Sequence, residues 1–165
     1  MRRKEREMSE DFAWMVLNKC EFAMVATTDE DGAPYCVPVT IVCDEKGIFF
    51  HCAREGRRTG NLRRDPRVCL TAVGDTHILS DEFSTEYESA VVRGRAEEVT
   101  GDEEKKRVLE LLCRRHVPGH MEAFEAEVSA SLAVTAVWKI IPSQVTAKRK
   151  KYDSQRREMK WGRME

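Results

Sequence analysis

His51, Arg57, Arg58 and Asn61 are the densest group of chemically capable side chains in the sequence, within the run IFFHCAREGRRTGNLRRDPRVCL over residues 48–70. An apolar strand there runs into a polar loop holding Gly56 and two consecutive arginines. Arginine offers a fork of donors matched to phosphate oxygens. Gly56 lets main chain come close to a ligand, and the amides at a helix start add to an anion site. These residue types point to a phosphate-bearing ligand; the plain alternative is a solvated arginine pair in a polar loop. His51 carries the one side chain type that titrates near neutral pH, so it can hand a proton to a nascent anion. Strand alternation puts it on a face with Phe49 and Ala53, opposite Ile48, Phe50 and Cys52. It reads either as a satisfied histidine at a barrel mouth or as a site residue. Cys52 on the other face reads as packing.

Such residues need elements to hold them. Ser9 ahead of Glu10 and Asp11 predicts a helix start, and Phe12, Met15, Val16 and Lys19 then share a face for about ten residues. Three strands joined by short turns follow: FAMVATT (22–28), YCVPVTIVC (35–43) and IFFHCA (48–53), an antiparallel meander. A short helix is expected over 57–64, ended by Pro66. Strand character returns over 67–75, residues 76–85 read as a loop, and 87–100 as a long strand with a bulge at Gly94. DEEKKRVLELLCRRH from Asp102 has acids first, bases last, and Val108, Leu111 and Leu112 on a stripe. VPGHMEAFEAEVSA reads as a linker or a second short helix. LAVTAVWKII (132–141) is a strong strand, Pro142 interrupts it, and 144–148 is a final short strand. Six or seven strands with helical additions predict a small antiparallel β-barrel, mainly β with helices (α+β).

Composition narrows the function classes. Lys and Arg number 28 and Asp and Glu 29 in 165 residues, a formal net charge of −1. A whole-protein basic field for nucleic acid is therefore excluded, though a local patch is not. Apolar residues at 41% suit a packed domain rather than a disordered chain, and no run approaches the ~18 apolar residues of a membrane span. The basic start MRRKEREMSEDF has no apolar stretch behind it, so no secretion signal is expected. The six cysteines sit mostly in apolar stretches without CxxC pairing, which predicts free thiols, a reducing cytoplasm and no structural metal. His116 and His120 are four apart, but Pro118 and Gly119 break the helix that would align them.

The block IFFHCAREGRRTGNLRRDPRV, preceded by PYCVPVTIVCDEKG, resembles the FMN-binding region of the pyridoxamine 5′-phosphate oxidase-like split β-barrel superfamily. His-Cys-Ala after the third strand, and YESAVVRGRAEEV before a charged helix, are similar to its nitroimidazole-resistance (Nim) branch. The resemblance implies a homodimer with FMN in a cleft between subunits. It assigns Arg58, where relatives often carry Lys, to the FMN phosphate, with Arg57 and Asn61 beside it. It lays Pro38, Val39 and Thr40 along the flavin ring, and puts His51, Cys52 and Ala53 beside the cofactor, His51 as the catalytic candidate. Pro38 suits an edge strand where a ligand docks. The phosphate and substrate signatures of pyridoxamine phosphate oxidase itself are missing, so vitamin B6 oxidation is not implied.

The expected activity is flavin-dependent reduction of a small electron-poor molecule, with 5-nitroimidazole-type nitro compounds as candidates and a reduced nicotinamide as a visiting donor, since no GxGxxG fingerprint is present. Alternatives are a non-catalytic flavin binder or redox sensor, a haem-binding split barrel using His51, and a deazaflavin in place of FMN. The domain is expected over 1–148, with a basic tail over 149–165. From Lys148 onward eight basic residues face three acidic ones, with Tyr152 and Trp161 interleaved. That tail could cap the partner's flavin through Trp161 or bind nucleic acid, although charge runs are usually solvated. Tyr87 and Ser89 share a strand face and are candidate cleft residues; Trp138 reads as core.

Overall fold

The structure is a computed structural model, and it describes residues 2–159. Its first strand is short, β1 (Glu7–Met8), and is followed by α1 (Glu10–Lys19). Ser9 caps α1 as expected: its Oγ accepts the Phe12 amide at 3.2 Å. Next come β2 (Ala23–Thr28), β3 (Pro34–Val39), β4 (Val42–Asp44), β5 (Gly47–Ala53) and the short helix α2 (Arg57–Arg64). Two long strands, β6 (Arg67–Leu79) and β7 (Ser84–Val99), precede α3 (Asp102–His116), a 3-10 stretch over Pro118–Ala123, and α4 (Phe124–Ser131). The last strand is β8 (Thr135–Lys150).

The strands form one antiparallel sheet in the order β3-β2-β6-β7-β8-β5-β4, with β1 added on β8. The two ends of that path, β3 and β4, are separated by only Thr40 and Ile41. Three residue steps span at most about 11 Å, so the sheet has to curl until its edges nearly meet. That is the split barrel expected from sequence. Its interior is packed by Val25, Ile48, Phe50, Leu70, Val92 and Ile140, and Val16 and Leu17 of α1 close one end. Alternation sends Phe49 to the opposite face of β5, where it joins Val42 and Val137 under Val108 and Leu112 of α3 and Phe124 and Val128 of α4. His51 lies on this second face.

Four expectations change. The strand predicted over 35–43 breaks at Thr40–Ile41, because the chain turns the barrel corner there and passes from one sheet edge to the other. The predicted loop over 76–85 is mostly ladder: Thr76 pairs with Tyr87 and Leu79 with Ser84, after a register shift between Val73 and Thr76. Pro142 does not end the last strand. Arg93 pairs with Gln144 and Gly94 with Pro142, so Ser143 is the extra residue of a bulge that accommodates the missing N–H. The expected domain boundary at 148 falls inside β8, whose residues Arg149 and Lys150 pair with Glu88 and Tyr87. The start of the basic tail continues against the body, with the Tyr152 amide donating to Glu86 Oε1 at 2.7 Å. Trp161 lies outside the described residues.

Gly94 is required at the bulge by contact. A Cβ there would run into the Ile141 carbonyl. Gly94→Val is expected to destabilise the protein by about 1–3 kcal/mol, the usual range for overpacking, read as a lowered thermal midpoint. An unchanged midpoint would show that the β7–β8 bulge adjusts freely.

Candidate functional site

The loop between β5 and α2 is pinned at several points. The Arg54 amide donates to the Val134 carbonyl at 3.2 Å, Arg63 Nη1 donates to the Arg54 carbonyl at 3.2 Å, and Thr59 Oγ1 donates to the Ala53 carbonyl at 3.0 Å. Thr59 Oγ1 also lies 3.4 Å from Cys52 Sγ, so Cys52 packs against the helix rather than standing free. Gly56 takes φ +134°, a conformation L side chains rarely adopt, and starts α2 without a side-chain cap. The opening turn of α2 therefore presents amide donors next to its arginines.

The two consecutive arginines part company here. Arg57 Nε donates to Asp29 Oδ1 at 3.0 Å while its Nη2 pairs with Asp29 Oδ2, and its guanidinium sits 4.8 Å over the Tyr35 ring. Asn61 is buried and donates from Nδ2 to Asp29 Oδ1 at 2.6 Å and to Thr27 Oγ1 at 3.2 Å. Arg57, followed by Asn61, holds the Asp29 carboxyl below its usual range. These bonds staple α2 to the end of β2, so Arg57 and Asn61 are already engaged within the chain. Arg58 differs. Among the described residues it has no carboxylate partner, its Nε is buried without any hydrogen bond, and its guanidinium lies 5.5 Å over the Phe50 ring.

On the α3–α4 side of β5, His51 and Thr40 line a cavity of about 720 Å³. Leu109, Leu112, Phe124 and Val128 give it apolar walls, and His116, His120 and Glu127 add polar groups. His51 is exposed and faces this space. Burial of the ring pushes its pKa below the ordinary 6.5, and the nearby charges of Arg58 and His116 push the same way. Both effects disfavour the charged ring. His116 Nε2 lies 3.0 Å from the Ile41 carbonyl; a bond to that acceptor requires a proton on Nε2, which leaves Nδ1 as an acceptor in the neutral ring. Arg115 Nη1 binds the same carbonyl at 3.0 Å and its Nη2 reaches the Leu17 and Cys20 carbonyls. Together α3's last turn fixes the corner that carries Thr40.

The sequence-predicted residues therefore fall into groups. His51 and Thr40 share the cavity, and Arg58 is close enough to His51 to shift its titration. Pro38 stands exposed on the edge strand β3, while Val39 turns into the barrel core. Ala53 lines a separate recess of about 570 Å³ with Arg54 and Arg63. Tyr87 and Ser89 do not share a cleft with His51; they line small hollows on the β6–β7 and β7–β8 faces. Trp138 is buried in the barrel core, as read from sequence. His116, Leu112 and Phe124 were missed as site residues. Their signal was the spacing of Phe124 and Val128, four apart, and of Leu109 and Leu112, three apart, each pair on one helix face.

A flavin phosphate suits these residues. An unpartnered guanidinium with a buried Nε next to helix-start amides is a ready anion partner, and β3 pairs only with β2, leaving an edge of main-chain groups open to a ring. No group of three His, Cys, Asp or Glu residues among those described could hold a metal ion. No described helix is long and apolar enough to cross a membrane.

Comparison with known proteins agrees with this architecture. The family model described as Pyridoxamine 5′-phosphate oxidase matches residues 9–149. A crystal structure of a candidate 5-nitroimidazole antibiotic resistance protein from Bacteroides thetaiotaomicron superposes with a TM-score of 0.72 at 24% identity, over 87% of this chain and 86% of that one. The flavocytochrome Anf3 from Azotobacter vinelandii gives 0.72 at 19% identity, over 89% of this chain and 72% of its own. An FAD- and haem-binding protein from Mycobacterium smegmatis gives 0.71 at 21%, over 88% and 73%. No curated protein sequence matches the chain.

Proposed function

The chain belongs to the pyridoxamine 5′-phosphate oxidase family, and we propose that it is an FMN-dependent oxidoreductase that reduces a small electron-poor molecule, 5-nitroimidazole-type nitro compounds being the leading candidates. The observation that carries this reading is Arg58, a cation without a carboxylate partner among the described residues, its Nε buried and without a hydrogen bond there, beside His51 and the start of α2. Similarity in fold to a candidate 5-nitroimidazole resistance protein, to a flavocytochrome and to an FAD- and haem-binding protein supports it.

In this reading Arg58 and the first amides of α2 hold the phosphate, and the outer edge of β3 around Pro38 supports the ring. Bound FMN supplies the hydride chemistry. His51 contributes a proton from a ring nitrogen to the anion that develops on the substrate. Taking a nitro group to nitroso consumes one reduced nicotinamide and one proton and releases one water. A second copy of the chain would complete the cleft, and Ile78 and Phe83, exposed on the β6–β7 hairpin, are apolar area for it to cover.

Purified protein is expected to carry a flavin absorption spectrum, to release FMN identified by mass, and to oxidise a reduced nicotinamide when a nitroimidazole is added. Flavin without turnover would make the chain a flavin binder or sensor. A Soret band in place of the flavin bands would make it a haem protein.

A further inference from the structure

We propose that the open cavity between His51, α3 and α4 is the substrate pocket, and that it takes uncharged, apolar, ring-sized molecules and rejects phosphorylated ones; the word substrate here rests on the redox reading above. The family takes its description from a phosphorylated compound, so the chemistry of this pocket separates the chain from that description.

At about 720 Å³ the cavity has room for a bicyclic ring system, within the ~300–1,000 Å³ of ordinary ligand pockets. Its walls are aliphatic and aromatic: Leu109, Leu112, Phe124 and Val128. No Arg or Lys lines it among the described residues, and Glu127 adds a carboxylate. A phosphate dianion entering it would lose water and gain no cation in return.

Nearby cations are engaged elsewhere. Lys105 donates to the Leu132 carbonyl at 3.1 Å, Arg115 is spent on three backbone carbonyls, and Arg114 pairs with Glu110. Arg58 is assigned to the cofactor. Desolvation and then Arg58 push the His51 pKa down, which disfavours a charge on this ring at the cavity. His116, with Nε2 bonded at the Ile41 carbonyl, adds a polar ring edge to the lining. The pocket thus matches an apolar ring bearing one neutral polar group.

Naphthol and naphthyl phosphate form a matched pair of fluorescent probes that differ in the phosphate alone. Titrated into the full-length protein as purified, naphthol is expected to saturate and to bind at least about tenfold more tightly than its phosphate. Leu112→Trp, which fills the cavity from α3, should abolish naphthol binding while released flavin stays at the parent level. Ala123→Trp narrows the rim from an exposed position, and serves where the core variant fails to fold. Equal or tighter binding of the phosphate would overturn the proposal. So would unaltered naphthol binding in a folded filled variant, or no saturation below about 1 mM, the upper end of ordinary KM values. Flavin content separates the two readings. Protein without flavin that binds naphthol, and loses it in Ala123→Trp, keeps the pocket and removes the redox function. Protein with flavin whose filled variants bind as before keeps the redox function and removes the pocket.

Discussion

His51→Gln is expected to slow substrate reduction by about 10²–10⁴-fold, the contribution of a positioned proton donor, while flavin content and thermal midpoint stay at the parent level. Glutamine keeps the shape and a hydrogen-bonding end but has no titrating proton. The fold should tolerate it because the ring is open to the cavity rather than locked in the barrel core. The pH profile gives the sharper signature. Burial first, then Arg58 and His116, move the His51 pKa below 6.5. A rate limited by its proton therefore rises as pH falls, because the protonated fraction grows through the shifted pKa and levels off below it, and the inflection sits on the acid side of 6.5. The Gln form should be flat through that window. Equal rates for both forms across about pH 5–8 would make His51 a packing residue of the barrel mouth.

Arg58→Ala is expected to weaken FMN binding by roughly 10- to 100-fold, equivalent to losing a charge-assisted hydrogen bond of about 1.5–3 kcal/mol. The change removes a guanidinium that makes no ion pair among the described residues, so no buried carboxylate there is stranded and the loss should appear in affinity rather than in folding. Arg58→Lys should retain most of the affinity, since an ammonium acts as a point charge on phosphate but lacks the fork. Arg57→Ala gives the contrast: Arg57 is already held by Asp29, so its removal should loosen α2 from β2 more than it weakens the flavin. Equilibrium titration of flavin-stripped protein, followed by flavin fluorescence, measures all three. Unchanged affinity in Arg58→Ala would remove this residue from the phosphate site.

Much of this arrangement was legible in the chain. The helix over 57–64 shows itself because Gly56 and Pro66 bracket a polar run, and α1 because Ser9 and two acids mark its start. His51's face on β5 follows from simple alternation. What stayed hidden depends on contacts distant in sequence. Nothing local in YCVPVTIVC tells that Thr40 and Ile41 turn a barrel corner; that is decided by Arg115 and His116, some 75 residues later, binding the Ile41 carbonyl. The cavity was equally invisible, because its far wall comes from a stretch around Pro118 and Gly119 that reads as a linker or as a second short helix. The division of labour between Arg57 and Arg58 was also out of reach, since it is set by Asp29 at the end of another strand.

The clamp on the Thr40–Ile41 corner has a bearing on how the molecule opens. End strands of an open sheet ordinarily fray one at a time, each with its own small free energy. Here the two end strands leave from the same short corner, and its carbonyl is gripped by the last turn of α3. Peeling either strand must drag on that grip, so β3, β4 and the end of α3 are expected to open as a single subglobal unit whose amides share one opening free energy in hydrogen exchange. Because the same turn of α3 forms part of the cavity wall, fraying of the sheet ends and loosening of the pocket wall are expected as one event rather than two.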